Sequence, residues 1–323
     1  MMDLSSIPSL VSLQDFLAAT LRSPSGVERQ VDVLERRLSP FSTRFSTEIV
    51  TCCLDGTEFL HLLLKYGTGS DRSGFGYRGG VSYESGVYRH VLQPFADSTA
   101  KFYGSYEGRS GSESWLVMEY LEDAVRFTKS SHPERALLDA AKWIARFHAQ
   151  TEGDFEGKDL YLNRYDVNYF AGWARRTAEY ADHWHQKFPW LSGVCINFET
   201  IVLSLLNTPR SIVHGEYYPQ NVLLQNGVIY PVDWESAAIG PGEIDLAALT
   251  EKWPAEIVEQ CEQVYVLERW PNGATQEFEH TLSAARMYLA FRWLGDRPEW
   301  TIGPQSAWRF HHLHDLAQQT GWI

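Results

Sequence analysis

Positive charge is in short supply in this chain: 28 Lys and Arg stand against 41 Asp and Glu, for a net charge of −13. A chain so acidic does not simply track a nucleic acid backbone, because that mode of binding rests on neutralising phosphates with Lys and Arg. The balance suits a cationic or neutral partner, or a site that carries its own divalent metal. Cysteine is scarce as well. Cys52, Cys53, Cys195 and Cys261 contain no C-x-x-C pair, and two adjacent cysteines on a strand point to opposite faces. That argues against a disulfide framework and a zinc site, and for reduced, buried thiols in a cytoplasmic protein. Long apolar runs are missing too: none approaches the ~20 residues that cross a bilayer. The N-terminus has no basic region followed by an apolar stretch, as a signal peptide would. The expectation is a soluble cytoplasmic protein with no membrane and no nucleic acid partner.

What is abundant is aromatic surface, with 12 Trp, 16 Tyr and 16 Phe in 323 residues. A chain of this length can hold two lobes, each with its own core. Residues 1–26 form an extension in which "SLQDFLAATL" predicts a short helix, with Ser12 and Asp15 as a capping box. Residues 27–123 turn to strand. "STEIVTCCLDGTEFLHLLLKY" centres on Asp55-Gly56, a dipeptide suited to a two-residue hairpin turn. Counting outward from it pairs Leu54 with Thr57 and Ser46 with Lys65. The loop "SPFSTRFST" (39–47) then lies beside Lys65 and offers hydroxyls and backbone N–H groups, Ser42 and Thr43 among them.

"VSYESGVYRHVL" predicts a helix with Glu84 in its first turns, and "SWLVMEYLEDA" an apolar strand. Residues 124–323 read as helical. Ser131 and Glu134 form a second capping box, followed by Leu137, Ala140, Trp143, Ile144 and Phe147 at helical spacing. Into this helical region is set "SIVHGEYYPQNVLLQNGVIYPVDWESAAIGPGEIDLAALT". Its Asn226-Gly227 turn makes "VLLQNGVIYPV" a hairpin, with Asn221 and Asp233 at its open end. Pro231 cannot donate a ladder hydrogen bond, so its strand position is an edge or a non-bonded one. Two oxygen ligands from opposite hairpin ends suit Mg²⁺, which takes few protein ligands and several from substrate phosphates. Glu216 lies on the same loop.

The combination of "HGEYYPQN" (214–221), "VDWE" (232–235) and Gly242-x-x-Asp245 resembles the aminoglycoside phosphotransferase and choline kinase superfamily over about residues 34–249. That resemblance implies an α+β, bilobal, protein-kinase-like fold. A small β-rich N-lobe carries the nucleotide, a hinge follows, and a larger mainly helical C-lobe holds the acceptor. It implies an ATP- or GTP-dependent, Mg²⁺-dependent transfer of the γ-phosphate to a small hydroxylated molecule, aminoglycoside-like or an amino alcohol. In it Lys65 holds phosphates, Glu84 holds the lysine, and Glu119 and Leu121 meet the adenine. Ser42 and Thr43 touch phosphate, Asn221 and Asp233 hold Mg²⁺, and His214 and Asp245 brace the loop. Glu216 stands where the family has a catalytic Asp. The longer acid keeps the basicity and extends the reach by ~1.5 Å. A nucleotide-binding pseudokinase scaffold is the alternative. About sixty residues separate the helix near 134–149 from His214, an insertion that resembles the acceptor-pocket segment of small-molecule kinases.

Other patterns have plainer readings. "GFGYRG" (74–79) follows no strand directly and reads as a connector. "HHLHD" (311–315) reads as a polar helix face rather than a metal site. The Trp-bearing "YLAFRWLGDRPEW" reads as core.

Overall fold

The computed structural model describes residues 7–22, 26–40, 44–68, 75–76, 78–108, 113–155, 161–273, 277–301, 303 and 306–323. The chain divides into two compact units, Met1–Val125 with Leu223–Ser236, and Arg126–Val222 with Ala237–Ile323.

In the first unit the strands β1 (Val31–Leu38), β2 (Ser46–Leu54), β3 (Glu58–Thr68), β4 (Phe102–Glu107) and β5 (Glu113–Glu119) form an antiparallel sheet in the order β1-β2-β3-β5-β4. Side chains alternate between faces along a strand. Val50, Cys52 and Leu54 of β2 and Leu62, Leu64 and Tyr66 of β3 therefore share one face, which packs on Leu13 and Leu17 of α1 (Leu10–Thr20). Lys65, between Leu64 and Tyr66, points to the other face, where α2 (Gly80–His90) lies. Val81, Glu84, Ser85 and Tyr88 form the buried stripe of α2 at helical spacing. All four cysteines are reduced and buried.

The β2–β3 turn differs from the expected one. Leu54 pairs with Glu58 and Thr47 with Lys65, so the loop takes Asp55, Gly56 and Thr57 rather than two residues. Asp55 is the cause. Its N–H donates to the Gln30 carbonyl at 3.0 Å, and its carboxylate accepts from the Gln30 N–H at 3.0 Å and from Arg29 at 2.6 Å. These bonds tie Asp55 to the strand end at Gln30, just past the last β1–β2 pair, so the reversal takes the three residues Asp55, Gly56 and Thr57.

The hairpin of β9 (Val222–Gln225) and β10 (Val228–Pro231) turns at Asn226 and Gly227, both at positive φ (51° and 80°). Its second strand, ending in Pro231, lies at a sheet edge.

The second unit, entered through the short β6 (Val125–Arg126), is mainly helical. Helix α3 (Pro133–Thr151) packs on α7 (Ala255–Arg269). Helix α8 (Phe278–Leu294), buried on nearly every side, is surrounded by α4 (Val167–Tyr180), α5 (Leu191–Leu206), α6 (Glu243–Thr250) and α10 (Ala307–Gln319). A single turn, α9 (Pro298–Thr301), follows α8. The segment expected to be an insertion contains α4 and α5. A three-stranded sheet orders β7 (Asn163–Arg164), β11 (Ala238–Pro241) and β8 (Arg210–Val213).

Both expected capping boxes are corrected. Helix α1 is capped by the Ser9 hydroxyl, which accepts from the Ser12 N–H, so Ser12 is inside the helix. Helix α3 starts at Pro133 with no side-chain cap. Proline has no N–H to leave unsatisfied and a φ already suited to a first turn, which removes the need for Ser131.

Candidate active site

The first unit brings together three of the residues singled out in the sequence. The Lys65 ammonium lies 3.1 and 2.8 Å from the two Glu84 carboxylate oxygens and 2.7 Å from Asp233 Oδ1. Glu84 is fully buried and also accepts from the Trp234 backbone N–H at 3.2 Å. Burial alone pushes the Glu84 carboxyl upward, and the Lys65 charge pulls against it. Burial likewise opposes the lysine charge, but Asp233 and Glu84 outweigh it and hold Lys65 above the ordinary lysine value. Asp233 has a left-handed backbone, φ 71°, a conformation aspartate tolerates better than most residues. Just past β10, that bend turns its carboxylate to the lysine and leaves it 38% exposed.

Glu119 ends β5, and its N–H donates to the Lys101 carbonyl at 2.8 Å. Leu121 follows it, buried. Ser42 and Thr43 lie outside the described residues, as do positions 74 and 77 of "GFGYRG".

In the second unit the 214–221 loop hangs from one carboxylate. Asp245, fully buried near the start of α6, accepts from the His214 N–H at 2.6 Å and from the Gly215 N–H at 2.9 Å. Gly215 has φ 79°, which allows two successive N–H groups to converge on one acid. His148 from α3 holds Asp245 in turn, with Nε2 3.2 Å from Oδ2. A carboxylate only accepts, so this imidazole carries its proton on Nε2 and its Nδ1 accepts from Tyr265 OH at 2.8 Å. Tyr265 accepts from Arg269 at 2.7 Å. Gly242 makes room for this relay: a Cβ there would lie 2.5 Å from His148 Nδ1 and 2.7 Å from both Tyr265 OH and Arg269 Nη1.

Glu216 is buried, its side chain 10% exposed, and its carboxylate pairs with Arg292 of α8, Oε1 to Nη2 2.6 Å. The same guanidinium donates to Tyr218 OH at 2.7 Å. Burial opposes the Arg292 charge, but Tyr218 and Glu216 hold it. Burial also pushes the Tyr218 phenol up to about 12, so it remains a neutral hydroxyl. Asn221 Nδ2 donates to the Glu216 carbonyl at 3.0 Å, tying the two ends of the loop together.

Tyr218 also lines a cavity of about 530 Å³ within this unit, whose walls include Trp293, Trp300, Trp308, Glu251 and Arg309. The stretch read as core is therefore divided. Tyr288, Leu289, Phe291 and Leu294 are buried, whereas Trp293 and Trp300 face the cavity. Arg292, His148 and the tryptophan wall went unnoticed in the sequence. Only an arginine on an otherwise apolar helix, "YLAFRWL", signalled the first. Among the described residues no group of three or more His, Cys, Asp or Glu could hold a metal, and none of the helices is long and apolar enough to cross a membrane.

Comparison with solved structures places this architecture among kinase-like proteins. LicA, a choline kinase from Streptococcus pneumoniae, is 14% identical with a TM-score of 0.60, over 96% of this chain and 98% of that one. A putative aminoglycoside phosphotransferase from Ralstonia eutropha is 16% identical with a TM-score of 0.60, over 97% of each chain. A spectinomycin phosphotransferase is 10% identical with a TM-score of 0.56, over 98% of this chain and 99% of that one. The fold is the α+β, kinase-like one expected, with a β-rich N-terminal sheet and a helical C-terminal region. No curated protein matches the sequence. The model of the phosphotransferase enzyme family matches residues 84–275, more than half of the 323 residues and the stretch that holds Glu84, the 214–221 loop, Asp233 and Asp245. The chain belongs to the phosphotransferase enzyme family.

Proposed function

We propose that this chain transfers the γ-phosphate of ATP, or of GTP, to a hydroxyl of a small molecule. The observation that carries this reading is the Lys65 ammonium held between Glu84 and Asp233. A part-buried lysine kept charged and fixed by two acids is suited to triphosphate oxygens, since phosphoryl transfer needs positioning and charge neutralisation above all. Two of the similar structures hold nucleotides: LicA has been solved with AMP, and the spectinomycin phosphotransferase with ADP and spectinomycin. The backbone around Glu119 and Leu121 is assigned to the adenine, and Ser42 and Thr43 to phosphate.

In the reaction a bond forms between the acceptor oxygen and the γ-phosphorus. The bond from that phosphorus to the bridging oxygen breaks, and the nucleoside diphosphate leaves. Glu216 orients the acceptor hydroxyl and takes its proton, with Arg292 fixing where the longer acid sits. Asn221 and Asp233, which flank the β9–β10 hairpin, are an amide and a partly exposed carboxylate. Such a pair of oxygen donors fits Mg²⁺, a hard ion that binds through few protein ligands. The ion would supply charge neutralisation on the phosphates. Asn221 Nδ2 is already committed to the Glu216 carbonyl, which leaves the amide oxygen as the donor to metal. A cavity of about 530 Å³ beside Tyr218 is the size of a small-molecule site.

The pairing of Glu216 with Arg292 favours one second reading, a nucleotide-binding scaffold in which this acid no longer serves as a base. Thermal stability with ATP and GTP, each with and without Mg²⁺, separates the readings when run alongside an assay of diphosphate release. Nucleotide at 100 times its Kd adds ~2.7 kcal/mol to the folded state. A Mg²⁺-dependent shift that disappears in Asp233→Ala supports the site, and no shift with either nucleotide overturns both readings. A shift without turnover of any acceptor leaves the scaffold.

A further inference from the structure

The acidity of the whole chain suggests a cationic acceptor, but the cavity of the second unit has the opposite local charge. Its lining residues include Lys252 and Arg309, and among the described residues that line it Glu251 is the one carboxylate. Glu251 is already engaged, with Arg309 Nη1 at 2.7 Å from one oxygen and Nη2 at 3.3 Å from the other. A two-point contact of this kind fixes both groups. The tryptophan faces are occupied as well. Lys252 Nζ sits 4.3 Å from the Trp308 ring centre, and the Arg309 guanidinium 4.3 Å from Trp308 and 4.6 Å from Trp293. Arg297 lies 4.8 Å from Trp300. A quaternary ammonium or aminosugar binds by putting its charge over open ring faces beside a carboxylate. Here protein cations hold those positions.

Lys252 gives a second, independent observation. It directly follows Glu251, the C-cap of α6, and its backbone is left-handed at φ 69°. Glycine is the usual residue at that position, because a side chain there is strained. The chain accepts that strain and in doing so puts an ammonium at the cavity wall. Strain retained next to a cavity is characteristic of binding sites.

Resting on the phosphotransferase reading, we infer that the acceptor carries an anionic oxyacid group on a flat apolar body. Lys252 meets the anion beside the Glu251–Arg309 pair, the tryptophan side chains that line the cavity border the body, and the hydroxyl to be phosphorylated is turned towards Glu216. The global charge of −13 acts at long range and is screened within about a Debye length, ~8 Å at physiological salt. The side chains in contact with the acceptor decide its class.

The test uses the tryptophans of the cavity as reporters, so that binding is read without turnover. The full-length chain is titrated with 4-(hydroxymethyl)benzoate, 4-(hydroxymethyl)phenylphosphonate, the matching benzamide and the matching benzylamine, following intrinsic fluorescence. Both acids are expected to bind at least about 10-fold more tightly than the amine, with the amide between; that factor corresponds to ~1.4 kcal/mol. Lys252→Gly should weaken the acids about 10-fold while leaving thermal stability equal or higher, since glycine relieves the left-handed backbone. A merely structural lysine would show the stability gain and no change in binding. The inference is overturned if the amine binds as tightly as the acids, if neither acid saturates, or if Lys252→Gly binds them unchanged. The nucleotide-dependent thermal shift is measured on the same preparation. Its loss with acid binding intact defeats the phosphotransferase reading and leaves the charge preference standing. Its persistence with the amine preferred defeats this inference alone.

Discussion

The Glu216 carboxylate and the Arg292 guanidinium meet at 2.6 Å in a site where neither is more than one-tenth exposed. An ion pair so far out of water depends on its geometry, because removing one partner strands the other charge. The loop acid and the last turn of α8 are thereby coupled.

From this pair follows a first prediction. Arg292→Gln should lower kcat on the order of 10²-fold, the cost of a misplacement of about 1 Å, with little change in nucleotide binding. Glu216→Asp, although it restores the acid expected from the family, should also lower kcat because it retreats from Arg292. A steady-state assay checks both, with the nucleotide-induced thermal shift as a control for folding. Higher activity in Glu216→Asp would show that the arginine does not set the position of the acid.

The Lys65 cluster permits a double-mutant test. Lys65→Met leaves Glu84 buried with no cation and should cost ~3–5 kcal/mol of stability. Adding Glu84→Gln removes the stranded charge, keeps an acceptor for the Trp234 N–H, and should recover most of that loss. Urea denaturation of the two single variants and the double variant gives the coupling directly. Additive losses would show that the ion pair does not hold this part of the fold.

Gly242 is predicted to tolerate no side chain. Alanine there would push its methyl into His148, Tyr265 and Arg269, and overpacking of this kind costs ~1–3 kcal/mol. The damage should reach activity, since the same relay holds Asp245 and through it the His214 and Gly215 amides. Denaturation and kcat measured on Gly242→Ala check both effects.

His148 sets a pH response. Burial is the main cause that holds its imidazole below the ordinary histidine value, and the Tyr265 hydroxyl already donates to its Nδ1. The folded state therefore binds this proton less readily than the unfolded chain. Its contribution is complete above the unfolded value of ~6.5 and is lost as pH falls from there towards the depressed folded value. The slope from this one group is at most ~1.4 kcal/mol per pH unit. Denaturant midpoints between pH 7.5 and 5 should fall, and His148→Asn should show a shallower fall.

Much of this was legible in the linear sequence, because local rules governed it. The Asn226-Gly227 turn, the α2 stripe carrying Glu84 and the helical character after residue 130 depend on turn chemistry and periodicity, which need only neighbours in sequence. The pairing of Glu84 with Lys65 was legible as a pattern, through the order of residues shared with a family. Where the local rules failed, a distant residue intervened. Gln30 and Arg29 held Asp55 at the end of β2 and shifted the β2–β3 register.

By itself the sequence determined the class of chemistry: a loop acid, an amide and an acid flanking a hairpin, and a lysine in a strand. It did so because those groups sit at spacings set by backbone geometry over a few residues. Only the tertiary structure decided which cation faces Glu216, what braces Asp245, and which charges line the cavity beside Tyr218. Those partners lie 76, 97 and 58 residues apart in the pairs Glu216–Arg292, His148–Asp245 and Glu251–Arg309. Periodicity marks which side of a helix is buried, and the partner of each side chain on that side is set by the packing of α3, α6, α8 and α10 against one another.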